Sequence, residues 1–170
     1  MVEATDEAPD GEALWQFSLA FYPCPGVAEA LIALQDRAGC DVNLMLFVLW
    51  LGVSGRGRLT REELMTALRM ARPIRVHIVE PLRALRRKLK PCSDEDVQRL
   101  RDAIKATEIA AEKVIQIRLC RTARPMNGGA DPAARNAAAR ANLGLYLGPE
   151  LACSPEASTI GKAVDGFLPG

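Results

Sequence analysis

Ten consecutive residues, Leu44 to Val53, carry no polar side chain, and Gly39 and Gly52 punctuate the stretch GCDVNLMLFVLWLG. Leu and Met outnumber β-branched residues in it, which favours helix over strand. A helix that is apolar all round must be wrapped by others, so the rest of the chain has to supply a shell. Asp41 stands where an N-cap is needed, directly ahead of the run.

The flanking sequence reads as helices of the right kind. One helix is predicted from Asp10 to about Tyr22, stopped by Pro23 and Pro25. A second runs from Gly26 to Ala38 with Val27, Ala30, Leu31 and Leu34 on one face. Ser54 to Arg58 reads as a flexible loop. Thr60-Arg61-Glu62-Glu63 is a capping box that opens a fourth helix, expected to end before Pro73. A fifth helix is expected from Ile74 to Leu89, kinked or broken at Pro81. A sixth runs from Asp94 to Arg121, with Ser93 as its cap and Leu100, Ile104, Ile115 and Leu119 on its apolar face. No stretch alternates as a strand would. The class is all-α, a bundle of six to seven helices around a buried third helix.

By composition the chain divides into an acidic mobile tail at 1–9, a helical core at 10–122 and a linker at 123–131. A C-terminal alanine-rich helix at 132–147, capped by Asp131-Pro132, and a mostly irregular tail at 148–170 complete it.

No run approaches the ~20 apolar residues of a membrane span, and the acidic start lacks the basic, then apolar pattern of a signal peptide. A cytoplasmic protein is expected. Five scattered cysteines with no CxxC pair, and His77 as the one histidine, argue against a disulfide framework or zinc. No cofactor or metal is expected. The Gly52–Gly57 segment lacks the Lys-Ser/Thr of a phosphate-binding loop.

Charge is uneven. Residues 1–55 hold eight acidic groups against Arg37, whereas residues 56–90 hold eleven basic groups against three acidic. The preferred reading is that these two parts face one another within the fold or sit in solvated faces. The segment Leu82 to Lys90 offers Arg83, Arg87 and Lys88 as anion-binding candidates, but without interleaved aromatics or a helix-turn-helix turn nucleic acid is disfavoured.

Two polar residues break the apolar pattern. Glu108 falls inside the stripe of the sixth helix, with Glu112 one turn on toward its edge. A buried carboxylate requires a partner, and Arg86, nearest the stripe of the fifth helix, is the expected one. Asn43 shares a side of the third helix with Phe47 and Trp50, where its amide either fixes packing or lines a ligand cavity with Trp50. Asn43, Trp50, Arg86, Glu108 and Glu112 are therefore the polar-cluster candidates. The cluster is either a closed structural network or an open site.

Several of these residues have a familiar arrangement. Trp15, Phe17-Ser18 and Tyr22, then Gly26-Val27, Leu34-Gln35-Asp36, Gly39, Asp41-Val42-Asn43-Leu44, Leu46-Phe47 and Trp50 resemble a bacterial domain family of unknown function. Pro81-Leu82-Arg83, Arg86-Arg87, Lys105, Glu108 and Glu112 resemble its later segments. The resemblance covers about residues 14–121 and implies a small helical protein, with no catalytic residues to carry over. The expected role is non-enzymatic binding, through a protein partner, a second copy or a small ligand. The alternatives are an enzyme using Glu108, Glu112, Arg86 and His77, or nucleic-acid binding through residues 83–90.

Overall fold

The apolar run is helix α3 (Val42–Val53), and every residue from Asn43 to Val53 is buried. The computed structural model describes residues 9–126 and 130–167. Asp41 caps α3: its Oδ1 accepts from the N–H of Asn43 at 2.8 Å and of Leu44 at 3.4 Å. Before it come α1 (Pro9–Phe21) and α2 (Val27–Ala38). The tail expected at 1–9 falls outside the described residues except for Pro9, and α1 begins one residue ahead of Asp10. Helix α2 is closed by Gly39 at φ 67°, a left-handed conformation suited to glycine.

Arg61 to Leu89 is a continuous rod made of α4 (Arg61–Ile74), a π turn (Arg75–Val79) and α5 (Glu80–Leu89). The capping box at Thr60 and Glu63 forms with both of its hydrogen bonds. Pro73 lies inside α4 rather than ending it, contrary to the sequence expectation. The irregularity expected at Pro81 takes the form of the π turn, whose wider ladder makes room ahead of a proline that cannot donate. Next comes α6 (Glu95–Cys120), whose cap is Asp94 and not Ser93: Asp94 Oδ1 accepts from Val97 N–H at 3.0 Å. Leu100 is 55% exposed, so the first turns of α6 project beyond the core.

The second half of the chain departs furthest from expectation. Helix α7 (Pro132–Ala152), bent at Gly148, makes the most extensive packing with α3 of any element. It is part of the core, not an appendage beyond a linker. Its alanines allow close approach: a Cβ built on Gly52 would lie 2.2 Å from the backbone nitrogen of Ala139. Asn142, 1% exposed, ties the pair together. Its amide donates to the carbonyls of Val48 (3.1 Å) and Gly57 (3.0 Å) and accepts from Leu59 N–H (2.7 Å). The tail expected at 148–170 is not irregular over its described part, 148–167, and its last three residues lie outside the described residues. Ser154, whose Oγ accepts from Ala157 N–H, and Pro155 open helix α8 (Pro155–Phe167). That helix buries Ile160 and Val164 and sets Phe167 edge-on to Phe17 and Phe21.

Among the described residues, with the rod counted once, seven helices build one core and there is no strand. The loop after α3 is ordered by Gly55 and Gly57, both at positive φ, which turn the buried Arg56 guanidinium over Trp50 at 4.2 Å. No helix among the described residues is long and apolar enough to cross a membrane.

Candidate functional site

Helices α1, α2, α5 and α6 converge on the polar start of α3 and leave between them a cleft of about 560 Å³. On α6, Glu108, Glu112 and Gln116 follow one another at four-residue spacing and so lie on one side of the helix. Glu108 and Gln116 are 5% and 2% exposed.

Arg83 of α5 holds three partners at once. Its Nε donates to Glu108 at 2.9 Å, one terminal nitrogen to Gln35 of α2 at 2.6 Å, and the other to Glu112 at 2.8 Å. Arg86 adds a forked pair to Glu108, at 2.6 Å from Nε and 3.3 Å from Nη2. Deeper in the cleft, the Gln116 amide donates to Asn43 at 3.0 Å and accepts from the Ser18 hydroxyl at 3.1 Å. These bonds tie α5 to α2 and α6, and tie α6 in turn to α1 and to the start of α3.

The two carboxyls respond oppositely to their surroundings. Burial acts to raise the Glu108 carboxyl, but the hydrogen bonds from Arg86 and Arg83 outweigh it and hold the group below its ordinary value. Glu112 is raised, first by burial and further by the charge of Glu108, with Arg83 opposing. The Arg86 guanidinium is raised by its bond to Glu108. Burial and the nearby Glu112 charge raise the Tyr22 phenol.

Of the candidates read from the sequence, Asn43, Arg83, Arg86, Arg87, Glu108 and Glu112 line this cleft. Trp50 does not: it lies seven residues from Asn43, about 10 Å along α3, against Phe47 and Arg56. His77 is exposed on the π turn and outside the cleft, so it is no member of the Glu108 cluster. Lys88 is exposed on the other side of α5 and also takes no part. Arg87, at the rim, pairs with Asp36 at 3.0 Å. These contacts, with Arg75 Nε 3.7 Å from Asp41, set part of the basic segment against the acidic one.

Sequence reasoning missed Gln116, Trp15, Tyr22 and Lys105 as lining residues. Gln116 had a signal, since it extends the Glu108–Glu112 spacing by one more turn next to Ile115. The aromatic pair had none, because Trp15 and Tyr22 read as core residues of α1. Among the described residues, no group of three or more His, Cys, Asp and Glu side chains is arranged to hold a metal.

The model of one family, described as a protein of unknown function (DUF2390), matches residues 13–119, from α1 to the end of α6. No curated protein and no solved structure matches the chain.

Proposed function

For this chain, which belongs to the DUF2390 family of proteins of unknown function, we propose binding of a small organic molecule in the α1–α2–α5–α6 cleft. The observation that carries the reading is the cleft's construction. It has the volume of a small-molecule site, and its polar groups are held in fixed directions by one another. A closed structural network would leave no such space between Arg86, Asn43 and Tyr22. Five scattered cysteines with no CxxC pair suit a reducing compartment, which supports a cytoplasmic location.

Ligand-observed NMR with a fragment library tests the reading. Fragments should saturate at one site per chain, and Ile109→Trp at the rim should weaken them. A library with no saturable binder, or binders indifferent to Ile109→Trp, would overturn it.

Acid–base chemistry in the same cleft is the second reading, favoured by the opposite displacement of the Glu108 and Glu112 carboxyls. Bound fragments whose spectra change over hours only in the presence of protein would establish turnover. Unchanged spectra leave a binding protein.

A further inference from the structure

Hydrogen-bond capacity is unevenly distributed in the cleft. Arg83 spends all three nitrogens on Gln35, Glu108 and Glu112. Arg86 spends Nε and Nη2 on Glu108, and its Nη1 makes no hydrogen bond among the described residues. Asn43 is 5% exposed and its oxygen accepts from Gln116, yet its amino group bonds to nothing among the described residues. The Tyr22 hydroxyl, in the same lining, is likewise without a hydrogen-bond partner there. Three donors, from α5, from α3 and from the turn that follows α1, thus face the space, and beside them stands the second carboxylate oxygen of Glu112, whose partner Arg83 reaches only the first. Donors that open onto a cleft without a partner in the protein suit an acceptor from outside it.

The rim has the opposite character. Leu19, Ile32 and Ile109 line the mouth of the cleft and are 54%, 41% and 42% exposed. Beside them Lys105 is exposed with no ion pair among the described residues. Donors at the bottom and apolar side chains at the opening suit a molecule that enters head first.

We propose that the cleft takes an amphipathic monoanion. Its carboxylate-type head is bound by Arg86 Nη1, the Asn43 amide and the Tyr22 hydroxyl, and its hydrocarbon body crosses Leu19, Ile32 and Ile109 past Lys105. The inference rests on the cleft being a ligand site and adds the class of ligand. A single negative charge fits better than a dianion, because Glu112 borders the head and would repel the second charge.

Isothermal titration with decanoate, decanol and decylamine tests it. Decanoate should bind one per chain, decanol at least about tenfold more weakly, and decylamine not at all. Tyr22→Phe and Lys105→Gln remove groups the fold does not use and should leave the urea midpoint unchanged. Tyr22→Phe should weaken decanoate about tenfold and leave decanol alone. Decanol or decylamine binding as tightly as decanoate would overturn the head-group assignment and leave the cleft as a ligand site. All three failing to bind while library fragments do would have the same meaning. An empty fragment screen would remove the ligand site itself.

Discussion

Glu108 and Glu112 lie one turn apart on α6 and share the guanidinium of Arg83, yet one carboxyl is held below its ordinary value and the other above it. Burial acts to raise both, and the difference follows from how far their partners offset it. Glu108 receives hydrogen bonds from two arginines, whereas Glu112 receives one and feels the negative charge of its neighbour.

Replacing Glu108 by Ala should destabilise the protein by about 3 kcal/mol, because Arg86 loses its carboxylate and Arg83 one of two. Urea denaturation measures this. An unchanged midpoint would show that the network contributes nothing to folding.

Glu112 governs a pH dependence of known sign. A carboxyl raised in the folded state binds its proton more tightly there than in the unfolded chain. Its contribution to stability is complete below the unfolded value and is lost as pH rises through the folded one. Glu108, being lowered, contributes in the opposite sense, fully present above the unfolded value and lost as pH falls through the folded one. Relative to wild type, Glu112→Gln should therefore gain stability as pH rises from about 4 to 7. Urea midpoints that run parallel across that range would contradict the assignment.

Gly52→Ala should destabilise by about 3 kcal/mol or prevent folding. Alanine gains roughly 1 kcal/mol in helix propensity, but its Cβ would stand 2.2 Å from Ala139 N and 2.3 Å from Ala139 Cα. Because the clash is with backbone, Ala139→Gly should not rescue it. Thermal unfolding of the single and double variants decides the matter.

A chain ending at Pro125 retains the whole segment matched by the family but should not fold alone. Without α7, α3 loses its principal neighbour, and the carbonyl of Gly57 and the N–H of Leu59 lose Asn142. Circular dichroism and size-exclusion chromatography of the shortened chain should show low cooperativity and aggregation. A sharp, monomeric unfolding transition would place α7 outside the core after all.

The sequence alone determined the elements whose reasons are local. The apolar run had to be a buried helix, the capping box and the Asp131-Pro132 pair had to open helices, and a carboxylate at Glu108 inside an apolar stripe had to find a guanidinium. Tertiary structure decided what depends on which helices meet. Alanines carry little hydrophobic signal, so α7 looked peripheral until its small side chains allowed it to approach Gly52. The Ser154-Pro155 start of α8 was present but outweighed by surrounding Gly and Pro. The cleft is the clearest case. Trp50 and His77 share a sequence neighbourhood with polar candidates but face elsewhere. Gln116, Tyr22 and Lys105 join Asn43 and Arg86 there only because four helices stop short of closing over the start of α3.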